Sequence, residues 1–408
     1  MEDVKIYVIG AGISGLVAAK TLSENGYHPV IIEATAGPGG RVKTDREGGS
    51  AFDHGFQVLL TAYPQAQKHL DYSELELRRF KPGAMIFENG NSCRIGDPLR
   101  DLSSLLPTLK APVGSWSDKW KIFRLSSQLK KKSIEEIFES DEKTTLQYLK
   151  DFGFSDEIIR QFFRPFFTGI FLEGELRTSS RMFEFTFKMF SEGAAAIPAM
   201  GIGDISLQLA SQAKQCSFRY MESVEQITRD HLVLAHGDPL PYDGIISTIP
   251  LNPKNGKPDL GQVQWKRCDN LYFTTKSQAI PHGVIGLVAD ESALVNNLYY
   301  NFSQCKSGAW LLSVTVVGNH GLDTATLEQR VREELQQHCG IEAIDLVRHY
   351  PIEKALPDLE NLQYHWNADH NRILERVFTA GDYRVNGSLN AAMASGEAAA
   401  LALMQQLG

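Results

Sequence analysis

The spacing of hydrophobic and polar residues changes character several times along the chain. Val4 to Ile9 is a short apolar run rich in β-branched residues and predicts a buried strand. Gly10-Ala11-Gly12-Ile13-Ser14-Gly15 follows at once, and Leu16 to Glu24 then takes helical spacing, with Gly26 as its stop. The apolar stretch Pro29 to Glu33 completes a βαβ unit of about thirty residues. From Leu75 to Ser191 the pattern is mainly helical, interrupted at Pro107, Pro112 and Pro165. Short strands return between Met221 and Thr248. Between Leu271 and Val317 four strand-like runs (LYFTTK, GVIGLVA, NLYYNF and WLLSVTVVG) alternate with turn residues and predict an antiparallel sheet. Thr324 to His338 reads as an amphipathic helix, Arg376 to Ala380 as a further strand, and Leu389 to Gln406 as an Ala-rich helix.

Nucleotide-type signals therefore stand at the start, a strand–Gly–Asp–helix signal stands near residue 380, and mixed material lies between. That order predicts a fold of α/β plus α+β class in which a cofactor domain is interrupted by an inserted substrate domain. The cofactor domain is expected over residues 1–75, 200–250 and 344–408. The substrate domain, an antiparallel sheet plus helices, is expected over 76–199 and 251–343. A length of 408 residues agrees with two to three domains at roughly 150 residues each.

Charge and cysteine usage narrow the function classes. Lys+Arg 41 against Asp+Glu 49 gives a net charge of −8, which argues against nucleic acid as the main partner. Cys93, Cys216, Cys268, Cys305 and Cys339 are odd in number, far apart and never in a CxxC pair, the pattern of free thiols in a reducing compartment. No metal-ligand spacing is present. The opening MEDVKIYVIGAG has no basic region before its apolar run, and no stretch approaches the ~20 apolar residues of a membrane span. A cytoplasmic protein is expected, with peripheral membrane contact as the one extension. The sequons at Asn301 and Asn386 then carry no glycan.

The glycine turn supplies the first chemistry. Between a strand and a helix, Gly10 permits the tight turn, Gly12 lets a pyrophosphate approach the backbone, and Gly15 allows close helix–strand packing. The unpaired N–H groups at Ile13 and Ser14, in the helix's first turn, favour an anion. Glu33 ends the second strand, where a carboxylate can accept both hydroxyls of an adenosine ribose and would repel a 2′-phosphate. Gly201-Ile202-Gly203 has Ser206 in place of a third glycine, so a second dinucleotide signature is absent and a two-nucleotide reductase is disfavoured.

Glu33-Ala34 leads into Gly39-Gly40-Arg41, and then Phe52-Asp53-His54-Gly55-Phe56-Gln57. With Gly10 through Gly15 before them, these residues resemble the flavin-containing amine oxidoreductase superfamily, which includes monoamine oxidases, protoporphyrinogen oxidases and phytoene desaturases. The resemblance implies a discontinuous Rossmann-like FAD-binding domain. It implies that Gly39-Gly40 passes beside the flavin, that Arg41 lies near its phosphates or ring, and that Asp53 and Gly55, the family's acid–x–Gly element, lie at the flavin end with Phe56 and Gln57. Phe378-Thr379-Ala380-Gly381-Asp382, followed by Gly387-Ser388-Leu389-Asn390-Ala391-Ala392, looks like the superfamily's closing motif. There Asp382 would accept from a ribityl hydroxyl, and the helix starting near Ser388 and Leu389 would aim its positive end at the flavin's pyrimidine edge, with Ala392 small enough for close approach. More weakly, Val224 resembles the strand residue whose amide holds adenine, and DGIISTIP at Asp243 to Pro250 matches a further family segment.

The substrate is less legible. Amine oxidases of the superfamily carry an aromatic residue directly after the glycine of the last motif, and here that position is Ser388. Eleven of the 21 phenylalanines fall between Phe152 and Phe190, so ordinary core packing competes with a Phe-lined tunnel for a long apolar or conjugated molecule. His54, Phe166, Phe167 and Leu356, the last within Ala355-Leu356-Pro357, are the candidates for the substrate cavity. No catalytic side chain is legible. The basic aromatic stretch across residues 119–132 suits either an anionic membrane surface or a solvated charged helix, since Glu135, Glu136 and Glu139 follow it. The expected function is an FAD-dependent oxidoreductase that takes two electrons from an apolar small molecule, polyene-like or cyclic, and passes them to oxygen or a quinone. Three alternatives stay open: an amine oxidase with an altered cage, a flavin-binding scaffold without turnover, and, more distantly, an NAD-only dehydrogenase.

Overall fold

The computed structural model describes residues 4–96, 111–252, 254–259, 261, 263–302 and 309–408. Pro107, Cys305 and Ser303 of the first sequon lie outside the described residues. Along the chain, β1 (Ile6–Ile9) leads through the glycine turn to α1 (Ile13–Glu24) and β2 (Val30–Glu33). β3 (Gly83–Glu88) and β4 (Asn91–Gly96) form a hairpin. The helices α2 (Trp116–Lys131), α3 (Arg164–Phe171), α4 (Ser180–Glu192) and α5 (Asp204–Gln212) follow. Then come β5 (Ser217–Tyr220), β6 (Gly244–Ser247), β7 (Gln264–Thr275), β8 (Ile285–Val288), β9 (Val295–Tyr300) and β10 (Trp310–Val317). The last elements are α6 (Thr324–Cys339), β11 (Leu346–Asp358), β12 (Arg372–Leu374), β13 (Val377–Thr379) and α7 (Leu389–Leu407).

Two sheets organise the molecule. The first has the order β5-β2-β1-β6-β13-β12, parallel throughout except for β12. β1, β6 and β13 are buried at every position, the continuous apolar pattern of strands covered on both faces. Ile6, Val8, Ile31, Ile246 and Phe378 face α1, α5 and α7, while the alternating Tyr7, Ile9, Ile32, Ile245 and Val377 face a small sheet formed by Val224–Ile227, His231–Leu234 and Leu240–Pro241. α1 and α7 cross at backbone contact. A Cβ on Gly396 would stand 2.1 Å from the Ser14 carbonyl oxygen, and one on Gly15 would stand 2.0 Å from that of Gly10.

The second sheet has the order β11-β7-β10-β9-β8-β3-β4. One face packs on α6 through Leu271, Phe273, Leu312, Val314, Leu327, Val331 and Leu335. It is mixed rather than antiparallel, because β3 docks parallel to β8. The β3–β4 hairpin lies in the stretch read as helical. Its turn, Asn89-Gly90, has φ of 51° and 73°, the left-handed pair that an Asn-Gly hairpin turn adopts. β11 lies on the edge of this sheet, along β7, although residues 344–408 were all expected in the cofactor unit. The phenylalanine-rich stretch forms α3, α4 and the π-helical Ile159–Phe163, whose rings interlock: Phe167 lies 4.7 Å from Phe183 and 5.1 Å from Phe171.

Candidate cofactor and substrate site

A cavity of about 1200 Å³ runs between the two sheets, beyond the ~300–1,000 Å³ of an ordinary single-ligand pocket. At one end its wall is the carboxyl edge of the parallel strands, where Gly10, Gly12, Ile13 and Ser14 follow β1 and Glu33 ends β2. Glu33 is buried, and its carboxylate organises the turn. Oε2 accepts from Ala11 N–H at 2.7 Å, while Oε1 accepts from the Thr35 N–H at 2.8 Å and the Thr35 hydroxyl at 2.7 Å. A carboxylate offers about four acceptor positions, so capacity for a ligand remains. The Gly39–Gly40 turn packs beside it: Gly39 N–H donates to the Ala11 carbonyl at 2.8 Å, and a Cβ on Gly40 would meet Gly12 Cα at 3.3 Å.

In the middle of the cavity Arg41 pairs with the buried Asp382, and its guanidinium sits 5.1 Å over the Trp265 ring. Gln57 Nε2 donates to the carbonyls of Arg41 (2.7 Å) and His54 (3.1 Å), pinning the two loops together. His54 Nε2 lies 2.9 Å from Asp45 Oδ2, the same oxygen that accepts from the Tyr350 hydroxyl at 2.9 Å, and the two rings stack at 4.3 Å. Burial raises the Asp45 carboxyl, but the hydrogen bonds from His54 and Tyr350 outweigh it and leave the group below its ordinary value. Ser388 caps α7: its hydroxyl accepts from Ala391 N–H at 3.0 Å and donates to Asn386 Oδ1 at 2.7 Å. Gly381, Asp382, Leu389 and Ala392 complete this wall. α1 and α7 thus bring two helix N-termini to one cavity.

The far end is largely apolar, with Phe166, Ile170 and Phe190 on the helical side and Ile285 and Leu287 opposite, although Glu173 and Arg177 also line the cavity. Leu356 belongs to the middle, where its side chain lies 3.4 Å from the place of a Cβ on Gly387. Of the residues singled out from sequence, five do not line the cavity, Asp53, which lies behind its wall, among them. Gly15 lies behind the turn against the Gly10 carbonyl, Ala34 is exposed beyond Glu33, and Val224 packs in the small sheet. Phe167 is fully buried among Phe163, Phe171 and Phe183, so that of this adjacent pair only Phe166 reaches the wall. Trp265, Lys266, Asn297, Thr315 and Tyr350 line the cavity without having been singled out. The polar residues at alternate positions in NLYYNF and WLLSVTVVG carried a signal for Asn297 and Thr315, since period-two polarity marks a second sheet face. Trp265, Lys266 and Tyr350 fall on stretches with no such alternation.

Asp53 lies behind this wall, 2% exposed, with Oδ1 accepting from the Thr44 hydroxyl and from Ile202 N–H. Burial pushes its pKa up to about 6 against those two bonds. The folded protein therefore keeps a proton that the unfolded chain releases from about pH 4 upward. The stability this group contributes is complete below that pH and is lost as the pH rises through 6. Asp53→Asn, whose carbonyl oxygen can keep both bonds, is expected to become more stable relative to wild type by about 2–3 kcal/mol between pH 4 and 7. Urea midpoints of the two proteins across that range test this; parallel pH curves would refute it.

A model of flavin-containing amine oxidoreductases matches residues 13–404. The chain belongs to the flavin-containing amine oxidoreductase family. The family's description is that of flavin-containing oxidoreductases. Among known members it is similar to protoporphyrinogen oxidase 2 of Arabidopsis thaliana, 26% identical over 165 residues that are 40% of this chain and 32% of that one. It is also similar to the 15-cis-phytoene desaturase of the same plant, 32% identical over 90 residues, 21% of this chain and 16% of that one. The chain thus spans about a third or less of the length of these curated relatives. An oxidoreductase from Methanosarcina mazei has the same fold, with a TM-score of 0.73 at 16% identity over 97% of this chain and 99% of that one.

The residues present fit the family's cofactor. Nothing stands within 4 Å of the place where a Cβ on Gly12 would be, so the turn has open space for a pyrophosphate. The buried Glu33 with acceptor capacity to spare, the two helix N-termini and the Arg41–Asp382 pair are the groups that could hold a dinucleotide with a free ribose.

Proposed function

We propose that the first sheet with α1, α5 and α7 is a discontinuous Rossmann-like FAD-binding domain, and that the protein oxidises an apolar small molecule by two electrons, as a dehydrogenase, desaturase or oxidase. In this reading Glu33 holds the adenosine ribose and the α1 N-terminus holds the pyrophosphate. Asp382 and the start of α7 hold the ribityl chain and the pyrimidine edge. Bound FAD supplies the redox chemistry, and the electrons pass on to oxygen or a quinone. The chain binds, orients and excludes water: Phe166, Phe190, Ile285 and Leu287 enclose the body of an apolar substrate, and Leu356 borders it beside Gly387.

The observation that carries this reading is the continuity of one cavity from Glu33 to that apolar end. The purified protein is expected to be yellow and to release FAD, rather than FMN or NAD, on denaturation. Anaerobic bleaching of the flavin absorbance by prenyl-type compounds, and not by a panel of amines, is the expected result. Bleaching by amines alone would favour an amine oxidase with an altered cage. Photoreduction that oxygen and a quinone analogue both fail to reverse would favour a scaffold without turnover.

The substrate's route to the site extends the proposal. Trp116, Trp120 and Phe123 are 67%, 61% and 50% exposed at i, i+4 and i+7 on α2, ahead of the exposed Arg124, Lys130 and Lys131. Lys132 is engaged by Glu184. An aromatic half followed by a cationic half on one helix face suits an anionic lipid surface, and among the described residues no helix is long and apolar enough to cross a membrane. Sedimentation with anionic vesicles at low salt is expected, and Trp116→Ser with Trp120→Ser should abolish it. Wild-type protein left in the supernatant would remove the idea.

A further inference from the structure

The second sheet turns an unusual face to the cavity. Along β7, β9 and β10 the residues against α6 are Leu271, Phe273, Leu298, Leu312, Val314 and Val316. Strand alternation puts Asn270, Tyr272, Asn297, Tyr299, Ser313 and Thr315 on the opposite face, and each of them is at most 3% exposed. Polar side chains are therefore buried toward a cavity whose far end is largely apolar.

These three strands and β11 align polar residues in one row. Asn297 of β9 pairs with Thr315 of β10, Thr315 with Asn270 of β7, and Asn270 with Tyr350 of β11. Asn297, Thr315 and Tyr350 line the cavity. Asn270 stands behind Thr315, and its Oδ1 accepts from the Thr315 and Ser313 hydroxyls, both at 3.3 Å. Asn270 Nδ2 and Asn297 Oδ1 are both buried without any hydrogen-bond partner, but of the two residues only Asn297 lines the cavity. The side chain is also held in place, because α3 approaches so closely that a Cβ on Gly169 would lie 2.5 Å from Asn297 Nδ2. A buried amide oxygen left unpaired is disfavoured by about tenfold in an equilibrium constant. β8, β9 and β10 carry no Asp, Glu, Lys or Arg at all, so an ionic partner has no counter-charge on these strands.

We infer that this row reads a neutral hydrogen-bond donor, an O–H or N–H, on an otherwise apolar substrate, with Asn297 as the specificity-determining residue and Thr315 beside it. The inference rests on the apolar-substrate reading above and refines it. A pure hydrocarbon leaves Asn297 Oδ1 unpaired in the complex. An ammonium ion meets no anion on β8, β9 or β10, and the carboxylates of the cavity, Glu173 and Glu353 among them, stand on other segments. An alcohol satisfies the oxygen and buries its hydrocarbon body against Phe166 and Leu287.

The test is isothermal titration of the flavin-loaded protein with farnesol and with farnesene, its dehydration product, which keeps the carbon skeleton and has a further C=C bond in place of the hydroxyl. The quantity read is the change in the ratio of the two affinities between each variant and wild type, in which their different partitioning from water cancels. Asn297→Leu is expected to shift that ratio about tenfold toward the hydrocarbon, Asn297→Ser to shift it less, and Thr315→Val to shift it in the same direction. Flavin content of each variant is measured alongside, so that loss of cofactor is not mistaken for loss of recognition. Thr315→Val, nearly isosteric, carries the test if the Asn297→Leu protein does not fold. Both probes binding with an unchanged ratio in the variants would overturn the inference alone. Neither probe binding wild type would overturn the apolar-substrate reading and the inference with it.

Discussion

The Glu33→Ala protein is expected to leave gel filtration colourless, with FAD affinity lowered by at least about tenfold. The carboxylate it removes does two things at once. It is the acceptor proposed for the ribose, and it receives three hydrogen bonds from Ala11 and Thr35 at 2.7–2.8 Å. Bonds to a charged acceptor contribute roughly 1.5–3 kcal/mol each, and deleting the acceptor leaves the Ala11 N–H unpaired in the glycine turn. The turn that receives the pyrophosphate therefore loosens together with the ribose contact. Glu33→Gln separates the two roles. Its single carbonyl oxygen can hold one side of the network, so an intermediate flavin content is expected. The ratio of flavin to protein absorbance after gel filtration, with the Kd from flavin fluorescence, measures both; a wild-type Kd in Glu33→Ala would exclude this role for Glu33.

The second large effect is expected at a methyl group. Gly396→Ala places a Cβ 2.1 Å from the Ser14 carbonyl oxygen and 2.9 Å from its carbon, and both are backbone atoms that no rotamer change can move. α7 must lift from α1. Alanine favours the helix by up to about 1 kcal/mol over glycine, but overpacking typically costs about 1–3 kcal/mol, and a backbone contact lies at the upper end. A fall in Tm of roughly 2–10 °C is expected. Because Ser14 and Ala392, on either side of the crossing, both line the cavity, flavin affinity should fall with stability. Leu401→Ala, on the exposed side of the same helix, is the control and should change neither. An unaltered Tm for Gly396→Ala would mean the helices do not meet as described.

The two glycine-rich ends of the cofactor site were legible because their signal is local. The β1–α1–β2 unit and the Gly381-Asp382 turn are each written in contiguous residues whose backbone needs the sequence states directly. β3–β4 was missed although Asn89-Gly90 marks its turn, because the hairpin's stability comes from pairing with β8 across about two hundred residues. β11 was misplaced for a related reason: Leu346–Asp358 is largely polar and half-exposed, and only its register along β7 makes it a strand. Phe167 shows the limit for side chains. Periodicity cannot tell it from Phe166, and the choice between cavity wall and packed core is made by the rings of Phe171 and Phe183 that close on Phe167. The polar row that faces the cavity was present as alternation in NLYYNF and WLLSVTVVG, but only the sheet order brings Asn297, Thr315 and Asn270 side by side.

The interleaved strand order also bears on how the protein is made. β6 sits between β1 and β13, and α7 lies across α1, so the first glycine turn has its full surroundings only when the segment from Val377 onward exists. Glu33 and Val377 are 344 positions apart. At about 5–20 residues per second of synthesis, the early βαβ unit waits some tens of seconds with its α7-facing surface uncovered. Nascent chains of this protein should therefore depend on a chaperone that shields the first helix until translation has delivered its partner.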